Sequence, residues 1–318
     1  MAVVGGTAQT YQLRGNREDL TNMIWRISPF ETPFVTAVGR TTAKAVYHEW
    51  QTDTLATPGA NAQVEGDDIG TYQSIVPTVR LGNYTQILRK SLRVSGTADV
   101  IDKAGRDDEH SMQLVKLGKE LRMDVEYMCV GTSAARSAGS ASTPRISASV
   151  HAWLKTNTSE GATGADPAGD GTNTRTPGTG RAFTGATGEA FLKTVLASIW
   201  TNSNDPARLC LVNSTQKYAM STFVGNATRY VDAAPEKIYS AVERYVHDFG
   251  DLEIRPDRIC RAADCLIINP DLWKVAWLRP IFSEELAKQG DSRSWEMIGE
   301  CTLEARNEAG SGAVFDLT

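Results

Sequence analysis

The chain has 318 residues, 41% hydrophobic and 22% charged, which allows a sizeable core in one large domain or in two to three lobes. Lys and Arg number 33 against 38 Asp and Glu, for a net charge of −5. That balance excludes a dedicated nucleic-acid binder, which needs clustered cations to neutralise phosphate, though a wall that merely contains DNA is compatible with it.

After a polar start, Arg17 to Val38 reads REDLTNMIWRISPFETPFVTAV. Leu20, Ile24 and Ile27 share one helical face, Ser28-Pro29 ends that helix, and Pro33 restarts a short apolar piece. From Ala45 the period changes to two: Val46, His48 and Trp50 alternate with Tyr47, Glu49 and Gln51, as in a strand. A polar stretch over 53–77 contains EGDD at 65–68, and a second strand is expected from Thr78 to about Val94. Together they predict a long two-stranded arm with an irregular tip. Two strands alone are at best marginally stable in water, so the arm needs cover from its own body or from another subunit.

The clearest helix is expected over 107–130, with Leu114, Leu117, Leu121, Val125 and Met128 at three- and four-residue spacing. Asp107, Asp108 and Glu109 suit its N-terminus, and Gly131 suits its end. At ~1.5 Å per residue it is a rod of roughly 35 Å. A strand is expected over Arg145 to Leu154. The stretch 156–188 is about half Gly and Thr and reads as a flexible surface loop. A helix over Glu189 to Trp200 then opens an α+β lobe. Its strands are expected at Arg208–Asn213, Leu252–Arg255 and Cys265–Asn269, and its helices at Thr215–Val224 and Pro235–Val246. The chain closes with a long strand, Ser294 to Arg306, with Trp295, Met297, Cys301, Leu303 and Ala305 on a buried side and Glu300, Thr302 and Glu304 on a wet one. A short strand over Ala313 to Leu317 follows.

A search for chemistry comes back negative. His48-Glu49 lacks a second histidine at position 52, and the other histidines, at 110, 151 and 247, are far apart in sequence. Cys260 and Cys265 have the wrong spacing for a redox or zinc motif and read as small buried hydrophobes. Five scattered cysteines (Cys129, Cys210, Cys260, Cys265, Cys301) imply reduced thiols and a cytoplasm-made protein. Asp166, Asp170 and the EGDD at 65–68 lack a calcium-loop pattern and read as solvated turn acids. Trp25, Trp200, Trp273 and Trp295 lie in patterned segments where core packing is the default. The start has no signal-peptide flank, and no apolar run is long enough to span a membrane. No catalytic residue, cofactor or metal is expected.

The order of parts, together with REDL at 17–20, SPFETPF at 28–34, HEWQTDTL at 48–55, EGDD at 65–68, NYTQI at 83–87, VSGTAD at 94–99, ELRMDVE at 120–126, DFGDLEI at 248–254 and the closing ELAKQGD…ECTLEARNEAG, resembles tailed-bacteriophage major capsid proteins of the Hong Kong 97 type. The resemblance spans nearly the whole chain. It implies an α+β fold with an N-terminal arm (1–44), an extended loop (45–94), a peripheral domain (95–203) with its spine helix, an axial domain (204–280) and returning peripheral strands (281–318). It implies a shell subunit that forms pentamers and hexamers around double-stranded DNA in the virion, with a portal, a separate scaffolding protein and in some cases a decoration protein as partners. The arm would lie on a neighbour's spine helix, with Trp50, Asn83, Tyr84, Gln86 and Arg89 of the arm and Arg122 and Glu126 of the spine in the contacts. The arm tip has no lysine, so lysine cross-linking between subunits is not expected. An encapsulin-like compartment around protein cargo shares this fold, and a cytosolic metal-dependent enzyme is the rival of a different class.

Overall fold

Two four-residue apolar runs, Leu209–Val212 and Cys265–Ile268, set the layout of the computed structural model, which describes residues 30–70, 72, 74–105, 108–203, 205–223 and 243–318. Strand side chains alternate between faces, so such a run is stable only where both faces are covered. Leu209, Leu211, Leu266 and Ile268 enter one core with Trp153 and Trp273. Cys210, Val212, Cys265 and Ile267 enter a second core with Leu192, Val195 and Ile199.

The described chain opens with a short helix α1 (Pro33–Ala37) and strand β1 (Gly39–Thr42). β2 (Tyr47–Thr52) and β3 (Val79–Tyr84) form the arm, and β4 (Gln86–Ser95) follows at once. After α2 (Gly96–Val100) comes the rod, α3 (Glu109–Glu126), continued by a π-helical turn over Tyr127–Gly131. Asp108 caps α3 by accepting from the backbone N–H of His110 and Ser111 at 3.0 and 3.1 Å. Then follow β5 (Thr158–Ser159), α4 (Gly185–Asn202), β6 (Leu209–Val212), α5 (Ser214–Met220), β7 (Arg244–His247), β8 (Gly250–Pro256) and β9 (Cys265–Ile268). β10 (Trp273–Leu286), β11 (Ser292–Ala305) and β12 (Gly312–Val314) end the chain.

These strands make a four-stranded sheet β1-β10-β11-β4, a six-stranded sheet β5-β12-β9-β6-β8-β7, and the two-stranded arm β2-β3. Buried residues Leu192, Val195, Leu196 and Ile199 repeat at helical spacing along α4 and cover one face of the six-stranded sheet. The rod lies along β4, with Lys90 paired to Asp124 at 3.0 Å and the His110 ring against Trp295 at 5.4 Å.

Several expectations change. The strand read from Thr78 to Val94 breaks at Thr85, whose N–H bonds back to Val46 O at 2.8 Å, so β3 stays in the arm while β4 joins β11. β10 escaped notice because Pro280 interrupts it. The ladder with β11 is irregular between Arg279 and Phe282, where a residue without an N–H is tolerated. The division read at 280 therefore falls inside a strand, and β12 joins the six-stranded sheet. Arg145 to Leu154 is no strand: Ile146 makes one bridge to Ser137 and a 3-10 turn occupies Val150–Ala152. Arg244–His247, read as the end of a helix, is the edge strand β7; the rest of that helix and the one read through Leu20, Ile24 and Ile27 lie outside the described residues, as does Trp25. Trp200 is 62% exposed and stacks on Phe249 instead of entering the core.

The Gly/Thr stretch 156–188, read as flexible, is pinned to the C-terminal tail. Buried Arg175 donates to Asp316 Oδ2 at 2.6 Å and lies over the Phe315 ring, and Asn157 Nδ2 donates to Ala309 O at 2.6 Å. Small residues let backbones approach, and one arginine supplies the bonds a core would otherwise provide. Replacing Arg175 by Ala takes the guanidinium partner from the buried Asp316 carboxylate and leaves it the backbone N–H groups of Gly161 and Gly178. We expect a loss of about 3 kcal/mol in urea unfolding of the unassembled subunit, whereas Arg208→Ala, which breaks an exposed pair with Asp271, should cost less than about 1 kcal/mol.

Candidate assembly surface

The arm is fixed at its base by polar groups that sequence periodicity does not single out. Asn83 is fully buried; its amide donates to Leu303 O at 2.8 Å and Ser147 Oγ at 3.1 Å, and its oxygen accepts from Ala148 N–H at 2.9 Å. Gly82, next to it, leaves room for the Tyr47 ring, since a Cβ there would come within 2.7 Å of that ring. Arg136 donates to Tyr47 Oη and Gly82 O, and Trp50 packs on buried Trp153 with ring centres 5.3 Å apart.

The face of β11 expected to be wet is the floor under this base. Glu300 is 3% exposed and takes Arg145 at 2.6 Å, Arg279 at 3.0 Å and the Thr85 hydroxyl at 2.7 Å. Thr302 meets Ser147 at 3.2 Å, and Glu304 pairs with His48 at 3.1 Å and Arg306 at 2.8 Å. Despite its burial, the Glu304 carboxyl sits below its ordinary pKa because His48 and Arg306 favour the charge. Acids are retained inside here because each has cationic or hydroxyl partners.

At the rod's far end, the buried Glu126 carboxyl group accepts from the backbone N–H groups of Phe34 at 2.7 Å and Val35 at 2.8 Å, tying the incoming N-terminal segment to the rod. Burial pushes its pKa up to about 8, against the pull of those two bonds and with the help of neighbouring Asp257. Past the fixed base the arm is bare: Leu55, Ile69, Tyr72 and Ile75 are 98%, 70%, 82% and 92% exposed, and the described residues of 53–78 form no strand. Among the described residues no group of three or more His, Cys, Asp or Glu could hold a metal ion, and no helix is long and apolar enough to cross a membrane.

The model of the SU10 major capsid protein family matches residues 4–318. The chain belongs to this family. It is also 40% identical over 126 residues to the major capsid protein of Escherichia phage Phieco32, an alignment covering 39% of this chain and 36% of that one, so the match spans about a third of the relative's length. The cyanophage A-1(L) capsid structure superposes with a TM-score of 0.68 at 12% identity, covering 98% of both chains. The capsid of a native GTA particle gives 0.65 at 9% identity, covering 97% of this chain and 98% of that one. At those identities the likeness is one of fold, and the fold is the Hong Kong 97-type α+β capsid fold.

In this capsid fold the seven residues read as subunit contacts separate into two groups. Asn83 and Glu126 are buried within their own chain, at 0% exposure each, and hold the arm base and the N-terminal segment to the body. Their hydrogen bonds are made inside the subunit. Trp50, Tyr84 and Gln86 are half-buried at the arm base, Gln86 accepting from Ser147 N–H at 3.2 Å. Arg89 is exposed on β4, and Arg122 is half-buried on the rod, donating to Thr36 Oγ1 at 2.9 Å. Sequence reasoning missed Glu300, Glu304 and Arg136. The one available signal was three polar residues alternating with the apolar ones in the last long strand.

The raised Glu126 pKa has a pH consequence. The folded chain holds that proton up to about 8, while an unfolded one releases it near 4.5. The group's contribution is therefore greatest below the lower value and is lost as pH rises through the window, by up to about 1.4 kcal/mol per pH unit. Urea unfolding of the unassembled subunit from pH 5 to 8 should show that decline, and Glu126→Gln should flatten it. An identical slope in E126Q would assign the titration elsewhere.

Proposed function

We propose that this chain is the building block of an icosahedral phage head, assembling as pentamers and hexamers into a shell around double-stranded DNA and catalysing no reaction. The observation that carries this reading is the arm: a ribbon rigidly fixed at its base, with a 26-residue tip (53 to 78) whose large apolar side chains are left uncovered by the described residues of their own chain. Exposed apolar surface of that extent is characteristic of an interaction site. A contact between the arm of one subunit and the rod of the next places unlike surfaces together, and such heterologous contacts close into rings. Membership of a capsid protein family over residues 4–318 supports the same reading.

On this reading 45–94 is the extended loop, α3 the spine helix, the four-stranded sheet with α3 the peripheral domain, and the six-stranded sheet with α4 and α5 the body of the axial domain. Shell assembly calls for a separate scaffolding protein and a portal, and its product is the virion, built in the host cytoplasm. Of the seven residues first read as contacts, Trp50, Tyr84, Gln86, Arg89 and Arg122 retain accessible surface for a neighbour.

The test is electron microscopy with sedimentation of purified wild-type protein beside a variant in which 54–76 is replaced by a short Gly-Ser turn. Rings or shells from the wild type, and a folded but unassembled variant, are expected. Shells formed equally well without the tip would overturn the arm's role. A uniform small species from the wild type would overturn the shell reading, and shells filled with protein instead of DNA in infected cells would point to a cargo compartment.

A further inference from the structure

We propose that the Glu126 and Asp257 carboxyl groups share one proton and so form a latch, which clamps the rod and the N-terminal segment to the end of β8 and opens when the proton leaves. The latch lies within one chain, so it goes beyond the shell reading and stands or falls without it.

The first observation is where three parts of the fold meet. Glu126 is the last residue of α3, and its two oxygens accept from Phe34 and Val35 of α1. Asp257 directly follows β8, and its N–H bonds to Val212 O of β6 at 2.8 Å. The two carboxyl groups are hydrogen-bonded to each other. Packing around them is close. A Cβ on Gly131, in the π-helical turn after Glu126, would come within 3.0 Å of the Ile259 side chain, and Ile259 N–H donates to Asp257 Oδ1 at 2.8 Å.

The second observation is an oxygen without a donor. Glu126 is fully buried, Asp257 is 1% exposed, and Asp257 Oδ2 has no N–H or hydroxyl to accept from among the described residues. A buried oxygen so placed calls for a donor. A proton on Glu126 supplies it, because the Glu126 O–H can donate to Oδ2 while both Glu126 oxygens still accept from the backbone. Two bare carboxylates in contact away from water repel, and such a pair retains one proton.

No neighbouring charge offsets the pair. On the rod, Asp124 is turned to Lys90 and Arg122 donates to Thr36. Beside Asp257, Arg255 pairs with Glu253 at 2.7 Å and Arg258 is exposed. The Cys129, Cys260 and Cys301 thiols, from the π-helical turn, the loop after β8 and β11, are pushed up by burial and stay neutral. α1 carries no charged side chain. Burial accordingly raises both carboxyls, Glu126 to about 8. With the latch open and Glu126 in water, the proton leaves near 4.5. The latch therefore holds fully below that value and slackens as pH rises toward 8. Opening frees α1 and lets the rod end part from β8.

The test follows hydrogen exchange of the Phe34 and Val35 amides in the full-length, unassembled subunit. Wild-type protection factors should fall by up to about tenfold per pH unit between pH 5 and 8. Asp257→Asn removes the repelling charge and gives Glu126 an amide donor, so the fall should shrink to less than about threefold per unit. As a measurement independent of that variant's folding, infrared titration of the wild type should show a protonated-carboxyl band at pH 7 whose intensity drops in E126Q. Wild-type protection that stays level across this range, an unchanged fall in D257N, or equal bands in wild type and E126Q would overturn the latch. The shell reading is tested separately, by whether the chain forms rings and shells.

Discussion

A two-stranded ribbon does not hold itself together in water, and the organisation of this molecule follows from how that deficit is met. At the base it is met within the chain: Asn83 spends its amide on Leu303, Ser147 and Ala148, and Trp50 lies on Trp153. At the tip it is not met at all, since Leu55 and Ile75 are almost wholly exposed. A rigid base with an uncovered tip directs the arm outward and leaves its burial to be completed by another copy. Assembly then supplies part of what folding leaves out.

The body is arranged to resist the pull on such an arm. β11 lies beneath the base, and its polar side chains, Glu300, Thr302 and Glu304, are all engaged by groups from the arm, from the 145–148 segment and from β10. The rod packs on β4, which continues directly from the arm's second strand. Any load on the tip is thus carried into the four-stranded sheet and the rod together. The N-terminal segment is fastened to the same rod by Glu126.

Sequence alone disclosed what depends on period and composition. The rod is visible in the spacing of Leu121, Val125 and Met128, and β6 and β9 in four-residue apolar runs. The arm is visible in the alternation from Tyr47 to Trp50 and the polar, Gly- and Pro-containing tip. It did not disclose what depends on long-range pairing. Asn83 carries no local mark of being a hub, because its partners lie 64 to 220 residues away. Glu300 and Glu304 looked like a solvated face because alternation cannot show that an arm covers the polar side. β10 was hidden by Pro280, and 156–188 looked unstructured because its order comes from Arg175 and the C-terminal tail instead of an apolar pattern. The family resemblance, resting on motifs along the whole chain, supplied the architecture that these local signals could not join up.

The most direct test of an arm completed only by its neighbours is hydrogen exchange on the unassembled subunit and on assembled shells. The account predicts that amides within 53–78 exchange freely in the subunit and become protected in the shell, while those of β3 and β11 around Asn83 and Leu303 are protected in both. Equal protection of 53–78 in the two states would contradict it, because the tip would then be covered by its own chain or by nothing at all.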